Sequence, residues 1–266
     1  MIRPFLLAGF LLPCSLAAQV PFTIGESVSL RSVVLGEERT LNIALPADYA
    51  DNDTTHYPVI YLLDGSADED FIHVAGALQF ASMEWIAWQQ PSILVGIANV
   101  DRQRDFTFPT SIAKDKEQYP TTGGSAAFID FLGRELVPYV DTHFRTTVDR
   151  LLIGQSLGGL LATEVLFKQP ALFQRYLIVS PSLWWDNGSL LKQKPAYPTG
   201  TANAQAQVFI AVGKEGSRMV GDARKLNALL RKSPSTRVGL ARLPDLDHTN
   251  ILHRAVMDGF RWMAGK

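Results

Sequence analysis

Apolar and polar residues alternate in two different ways along the chain, and both patterns are typical of strands. Residues 27–35 and 39–45 alternate apolar with polar side chains on either side of a turn at Gly36, which predicts an antiparallel hairpin. Later runs are apolar at nearly every position, as is typical of strands covered on both faces of a parallel sheet. These runs span 58–63, 92–98, 150–153, 175–179, 207–212 and 237–243, which makes about eight predicted strands.

Segments with helical spacing separate the apolar runs. Residues 70–88 place Phe71, Val74 and Leu78 on one helix face. Because strands and helices alternate, the sequence predicts an α/β fold, with a mostly parallel sheet and helices on both faces. Two polar stretches that contain proline predict loops that shape a substrate site. The other predicted helices span 125–140, 157–168, 219–230 and 251–263, and the two loops span 101–120 and 184–204.

The composition is that of a single globular domain. The chain has 266 residues, of which 47% are apolar and 19% are charged, and its formal net charge is -1. A chain of this length buries enough surface to fold without disulfides or metals. The balanced charge gives no electrostatic reason to expect a nucleic-acid partner. The sequence leaves the oligomeric state open.

The N-terminal residues are typical of a secretory signal peptide. A positive charge precedes an apolar run over 5–12, and small residues follow the run. The run is shorter than the roughly 20 residues that a membrane-spanning helix needs, and no other segment is long and apolar enough. We expect residues 1–18 to be removed, residues 19–266 to form the mature domain, and the protein to be periplasmic or secreted. The alternative is a buried N-terminal helix, which Pro13 would interrupt.

The strongest chemical signal is the stretch Gly154-Gln155-Ser156-Leu157-Gly158, between a predicted strand and a predicted helix. This is the context of the nucleophile elbow, G-x-S-x-G, in which a sharp turn projects the serine hydroxyl above the sheet. Glycines two positions on either side of the serine leave room for the crowded backbone. The helix start adds partial positive charge near a developing oxyanion. The motif predicts Ser156 as the nucleophile of an α/β-hydrolase fold, with about eight strands.

A serine hydroxyl is a poor nucleophile and needs a base. In this fold the acid and then the histidine follow the serine along the chain. Two histidines follow Ser156. His248 lies in a polar loop between the last predicted strand and the last predicted helix, whereas His253 falls within that helix and is interpreted as a helix-surface residue. We therefore predict His248 as the base.

The predicted acid is Glu215, which directly follows the apolar run at 207–212. Its carboxylate would fix the imidazole tautomer and stabilise the imidazolium. Asp186, after the preceding strand, is an alternative. Asp222 is a third candidate, but its spacing places it on a helix, where we expect it to be solvated.

Two backbone amides are expected to form the oxyanion hole. One belongs to Leu157, the residue after the nucleophile, and the other comes from the turn Asp64-Gly65-Ser66 after the strand at 58–63. Because the amide performs this role, a change of the Ser66 side chain alone should be mild.

The motifs resemble the putative esterase family, which includes the enterochelin esterases, the esterase D group and the antigen 85 acyltransferases. The resemblance extends in order over nearly all of the expected mature chain, and two of its pieces, RQRDFTFP and SPSLWWDN, favour the siderophore-esterase-like branch. It implies that Ser156, Glu215 and His248 form the triad and that Ser66 and Leu157 form the oxyanion hole. The matching pieces are YLLDGS at 61–66, RQRDFTFP at 102–109, FLGRELVPYVDTHFRT at 131–146, LLIGQSLGGLLATEVLFKQPALF at 151–173, SPSLWWDN at 180–187, VGKE at 212–215 and DHTN at 247–250.

Two further pairs of residues are candidates for substrate binding. The guanidinium groups of Arg102 and Arg104 could bind an anionic or catecholate substrate, or they could form internal ion pairs with Asp101 or Asp105. Trp184 could line an aromatic pocket together with Trp185, although one of the two tryptophans is expected in the core.

These observations predict an ester hydrolase that acts on a small molecule through an acyl-serine intermediate. An acyltransferase would use the same residues with an alcohol in place of water. A non-catalytic binding protein on the same scaffold is a further alternative, which the intact Ser156 and His248 disfavour. No cofactor or metal is expected, because the sequence has neither a dinucleotide or phosphate-loop fingerprint nor clustered metal ligands.

Overall fold

Eight strands form one sheet in the computed structural model, which describes residues 22–49, 54–196 and 205–266. The predicted signal peptide at 1–18 lies outside the described residues. The strands are β1 (Glu26–Arg31), β2 (Glu38–Ala44), β3 (Tyr57–Leu63), β4 (Ile93–Ile97), β5 (Thr146–Gln155), β6 (Arg175–Val179), β7 (Ala206–Val212) and β8 (Thr236–Arg242).

The strand order is β1-β2-β4-β3-β5-β6-β7-β8. β1 pairs antiparallel with β2, and β2 pairs antiparallel with β4. Every other pairing is parallel, so the carboxyl ends of β3 to β8 meet at one edge of the sheet. The predicted N-terminal hairpin and the mostly parallel α/β sheet of about eight strands are confirmed.

The apolar strands owe their pattern to cover on both faces of the sheet. In β3, Tyr61 and Leu63 belong to one core cluster, while Ile60 and Leu62 belong to the other. Side chains of a strand point alternately to opposite faces. Because every position of β3 is buried, the strand is apolar throughout.

The helices cover both faces of this sheet, as predicted. Within the described ranges, no helix is long and apolar enough to cross a membrane. The helices are α1 (Phe71–Ala81), α2 (Arg102–Phe106), α3 (Ala113–Gln118), α4 (Ser125–Phe131), a π-helical turn (Leu132–Leu136), α5 (Val137–His143), α6 (Leu157–Lys168), α7 (Trp185–Gly188), a 3₁₀ turn (Leu190–Lys192), α8 (Gly216–Leu230) and α9 (Leu252–Met263).

Three predictions of local structure were wrong, one of which is the loop predicted over 184–204, since its described part contains α7 and the 3₁₀ turn. The helix predicted over 70–88 ends at Ala81, because Ala87 takes a left-handed conformation (φ 47°) and the Trp88 amide donates back to the Ala81 carbonyl. The loop predicted over 101–120 contains the short helices α2 and α3. α2 begins where the Asp101 carboxylate accepts a hydrogen bond from the Arg104 amide, which is an N-cap.

Candidate active site

Ser156 sits at the turn from β5 into α6 in a conformation that is rare for any residue other than glycine (φ 59°, ψ -119°). A Cβ on Gly154 would lie 2.4 Å from the Gly158 carbonyl oxygen, so only glycine fits there. A Cβ on Gly158 would meet nothing closer than 3.4 Å, whereas one on Gly159 would come within 3.0 Å of the Val179 carbonyl oxygen. The predicted crowding is thus present at Gly154, but after the serine it falls on Gly159 instead of Gly158.

The three predicted triad side chains form one hydrogen-bonded chain. Ser156 Oγ lies 2.9 Å from Nε2 of His248, and Nδ1 of the same ring lies 2.7 Å from Oε2 of Glu215. The loop that carries His248 is fixed to the end of β5, since the side-chain amide of Gln155 donates to the His248 carbonyl at 2.5 Å. This geometry allows a proton to pass from the hydroxyl to the imidazole.

Glu215 is held as an ionised carboxylate. Its other oxygen, Oε1, accepts hydrogen bonds from the Gly213 amide at 3.0 Å and from the Ser180 hydroxyl. Burial raises the pKa of Glu215, but the hydrogen bonds from His248, Ser180 and Gly213 outweigh burial and bring the pKa below its ordinary value. The carboxylate can therefore orient the His248 ring without taking its proton.

The two alternative acids lie elsewhere. Oδ1 of Asp186 accepts hydrogen bonds from the backbone and side chain of Ser111, at 2.8 and 3.0 Å. Asp222 lies on α8, as expected, but it is buried instead of solvated, and Lys225 contacts it at 2.9 Å. Neither carboxylate contacts His248. His253 lies exposed on α9, as interpreted from the sequence, with its ring 4.2 Å from that of His73.

The amides of Ser66 and Leu157 lie at the same edge of the sheet. Leu62 of β3 pairs with Ile153 of β5. Ser66 lies four residues after Leu62, and Leu157 lies four residues after Ile153, so the two amides are level with each other across the two strands. Leu157 is the first residue of α6, and neither amide donates a backbone hydrogen bond to another described residue. Within the part of the chain that the structure describes, both amides therefore lack a backbone acceptor at the edge of the sheet that carries Ser156.

The turn that carries Ser66 is tightly constrained. Asp64 adopts a left-handed conformation (φ 56°), and the Gly65 amide donates to the Ile97 carbonyl at 3.0 Å. A Cβ on Gly65 would lie 2.4 Å from the Gly96 Cα, so the turn packs directly against β4.

The two arginines have separate environments. Arg104 is bound internally, with Asp105 at 2.7 Å and Glu37 at 2.6 Å, so its guanidinium does not line the cleft beside Ser156. The ion pair with Asp105 is one of the internal alternatives that the sequence left open for Arg104, and this geometry gives no support to a substrate-binding role. Arg102 does line the cleft, and it also binds both carboxylate oxygens of Asp64, at 2.6 and 2.9 Å. Pairing with Asp64 was not anticipated, because the two residues are brought together only by the alignment of β3 and β4.

A cleft of about 450 Å³ opens above Ser156 and His248. Trp184 lines it, while Trp185 is fully buried and donates its indole N–H to the Phe108 carbonyl at 2.8 Å. One tryptophan in the cleft and one in the core was the expected division. Further lining residues are Arg102, Tyr119, Lys214, Met219 and Asp247. Within the described residues, no three His, Cys, Asp or Glu side chains are grouped so that they could hold a metal ion.

Sequence comparisons match the chain to known esterases. The family model described as "Putative esterase" matches residues 32–231. The ferri-bacillibactin esterase BesA of Bacillus subtilis is 31% identical over 229 residues, which cover 79% of this chain and 78% of BesA. A siderophore triacetylfusarinine C esterase of Aspergillus fumigatus is 31% identical over 172 residues, which cover 61% of this chain and 57% of that protein.

Solved structures give the same result. An IroE-like serine hydrolase from Shewanella oneidensis superposes with a TM-score of 0.78 at 31% identity, over 90% of this chain and 79% of that chain. The BES protein from Bacillus cereus superposes with a TM-score of 0.80 at 29% identity, over 93% of this chain and 97% of that chain. The chain therefore belongs to the putative esterase family, and it is a serine hydrolase of carboxylic esters with the α/β-hydrolase fold.

Proposed function

We propose that this esterase cleaves its substrate through an acyl-enzyme formed on Ser156, with His248 as the base and Glu215 as the acid of the triad. The observation that supports this best is the hydrogen-bonded chain from Ser156 Oγ through both ring nitrogens of His248 to the Glu215 carboxylate.

The reaction proceeds in two halves. Ser156 Oγ attacks the ester carbonyl carbon while Nε2 of His248 takes the hydroxyl proton. The negative charge that forms on the carbonyl oxygen is stabilised by the amides of Ser66 and Leu157. When the intermediate collapses, the ester C–O bond breaks and the imidazolium gives its proton to the departing alcohol. A water molecule then attacks the acyl carbon, His248 takes a proton from it, and the carboxylic acid leaves as Ser156 regains its proton.

The substrate class we propose is a small-molecule ester with an aromatic or siderophore-like acyl part. A ferri-bacillibactin esterase and a siderophore triacetylfusarinine C esterase support it by their similarity to this chain. The cleft supports it by its chemistry. The rings of Tyr119 and Trp184 offer flat apolar walls, and Lys214 offers positive charge beside the nucleophile.

We further propose that residues 1–18 are a signal peptide and that the mature domain, 19–266, works in the periplasm or outside the cell. The order of positive charge, apolar run and small residues at the N-terminus supports this proposal. N-terminal sequencing of the protein recovered from the culture medium or periplasm tests it, and an intact Met1 would contradict it.

The test of the mechanism is hydrolysis of p-nitrophenyl esters of increasing acyl length, including aromatic acyl groups. We expect turnover by the natural protein, labelling of Ser156 by a fluorophosphonate, and loss of both in Ser156→Ala at an unchanged melting temperature. A folded protein that neither cleaves any of the esters nor takes the label would overturn the proposal. Product analysis with added alcohol separates water from an alcohol acceptor, because acyl transfer would yield a new ester.

A further inference from the structure

A second cavity adjoins the cleft. It measures about 420 Å³, close to the volume of the cleft itself, and lies between the first turns of α8 and the stretch formed by α7 and the 3₁₀ turn after it. The residues that matter here are Asn187, Lys192, Arg218, Asp222 and Lys225. Both volumes are within the range of small-molecule sites.

The two cavities have a common wall. Trp184 and Met219 line the cleft beside Ser156, and Arg218, the residue before Met219, lines the second cavity. The Arg218 guanidinium donates to the Trp184 carbonyl at 3.2 Å, which ties α8 to the tryptophan segment at this point. This hydrogen-bonded segment separates the two cavities, and a substrate long enough to reach beyond Trp184 would lie beside the second cavity.

The second cavity has an excess of positive charge. Three of its side chains are cationic: Lys192, Arg218 and Lys225. The single carboxylate among its lining residues, Asp222, is buried, and Lys225 pairs with it at 2.9 Å while Arg218 is more distant at 3.8 Å. Three cations against one carboxylate leave an excess of positive charge on the lining, and Lys192 is the cation that makes no ion pair with Asp222.

The wall opposite α8 has an unusual backbone. Asp186, Asn187 and Gly188 are all left-handed, with φ of 47°, 53° and 70°. Such conformations are costly for residues other than glycine and persist where the surrounding structure holds them in place. Here Asp186 is bound by Ser111, and Trp185 is packed in the core, so that Asn187 is presented at the cavity surface.

From these observations we propose that the second cavity is a subsite for a negatively charged part of the ester substrate, remote from the ester bond that Ser156 cleaves. The ligand chemistry is a carboxylate, a phenolate or a comparable anion. The proposal rests on the proposed function, because it assumes that the scissile ester lies at Ser156.

The test compares substrates that differ in one charge. The probes are p-nitrophenyl half-esters of straight-chain dicarboxylic acids with six to twelve carbons, each beside its methyl-capped counterpart of equal length. The natural protein should favour the free acid about two- to fivefold in kcat/KM at one chain length, as expected for exposed charge pairs. The preference should fall as salt is added.

Two variants, each with one lysine charge reversed, test whether the preference for the free acid depends on the second cavity. Lys192→Glu should abolish the preference for the free acid and leave kcat/KM for the capped esters within about twofold. Lys194→Glu is the matched control, because Lys194 is exposed on the same segment but does not line the cavity. Equal losses in the two variants would overturn the proposal, as would equal rates on free and capped esters at every length.

A binding measurement separates this inference from the mechanism. Ser156→Ala is titrated calorimetrically with the half-acid 4-nitroanilides and with their methyl-capped forms, which the variant does not cleave. Tighter binding of the free acid, lost in the Lys192→Glu background, supports the subsite even where the natural protein cleaves no ester. Equal binding of both forms overturns the subsite, while ester cleavage by the natural protein would still support the mechanism.

Discussion

The edge of the sheet that carries Ser156 and the loop wall that faces it are built in different ways. We define the loop wall as Tyr119 and Trp184, from the segments that follow β4 and β6. Ser156 is held by the β5–α6 turn, with its amide bonded to the Val179 carbonyl at 3.0 Å, and Glu215 receives hydrogen bonds from three groups. The backbone of the loop wall makes hydrogen bonds, such as that from Arg218 to the Trp184 carbonyl, but its side chains are held by ring contacts, with the Tyr119 and Trp184 centroids 6.0 Å apart.

From this difference we expect the sheet edge to govern the reaction itself and the loop wall to govern which esters are accepted. Groups fixed by hydrogen bonds to a parallel sheet keep the geometry that proton transfer requires, because the sheet cannot shift one strand without disrupting its neighbours. Apolar contacts from a loop are less directional, so the wall can change with the substrate while the reaction stays the same. Changes at the sheet edge should therefore lower kcat on every ester, and changes at the loop wall should alter the choice among esters.

The largest effect is expected from removal of the charge on the acid. Glu215→Gln should lower kcat by roughly 10³–10⁴-fold, because the neutral amide no longer stabilises the imidazolium or enforces its tautomer. Asp186→Asn is the control and should retain nearly full activity, since Asp186 contacts Thr110 and Ser111 instead of His248. Steady-state kinetics on one p-nitrophenyl ester measures both variants. A similar loss in both, or a loss below tenfold in Glu215→Gln, would argue against Glu215 as the acid.

The oxyanion turn gives the next effect. Ser66→Pro removes a backbone N–H and should lower kcat by about 10²–10³-fold, whereas Ser66→Ala keeps the amide and should lie within about threefold of the natural protein. Circular dichroism confirms that both variants are folded before kcat is compared. Equal activity of the two variants would exclude the Ser66 amide from the oxyanion hole.

The elbow glycines should differ in their effect on stability. Gly154→Ala places a Cβ 2.4 Å from the Gly158 carbonyl oxygen and should lower the free energy of unfolding by about 2 kcal/mol or more. Gly158→Ala meets no atom closer than 3.4 Å, and alanine favours helix, so its change should stay below about 1 kcal/mol. Urea denaturation measures both. A Gly158→Ala variant less stable than Gly154→Ala would contradict the proposed crowding.

The smallest effect is expected at the loop wall. Trp184→Ala should raise KM for p-nitrophenyl esters of aromatic acids by roughly two- to tenfold, from lost ring contacts, with KM for the acetate ester nearly unchanged. Trp85→Ala, at an exposed tryptophan away from the cleft, is the matched control. A uniform loss of kcat across all esters in Trp184→Ala would mean that the wall takes part in the chemistry.

The fold could be predicted from sequence because burial on both faces leaves a direct mark on strand composition. The run at 175–179 matches β6 (Arg175–Val179), and the helix predicted over 157–168 matches α6 (Leu157–Lys168). The end of α1 could not be predicted, since Ala87 reverses the chain through a left-handed conformation for which its sequence gives no signal. Glycine is the residue that usually indicates such a turn.

The sequence by itself determined the parallel sheet and the strand-to-helix turn at Ser156, and it predicted His248 from among the histidines after that serine. Each follows from local pattern or chain order, because strand burial, a strand-to-helix turn and the order of the triad are properties of the chain itself. Only the tertiary structure distinguished Glu215 from Asp186, paired Arg104 internally, turned Trp184 to the cleft and formed the cationic cavity beside it. These depend on distances between residues far apart in sequence, which are decided by how the loops after neighbouring strands pack together.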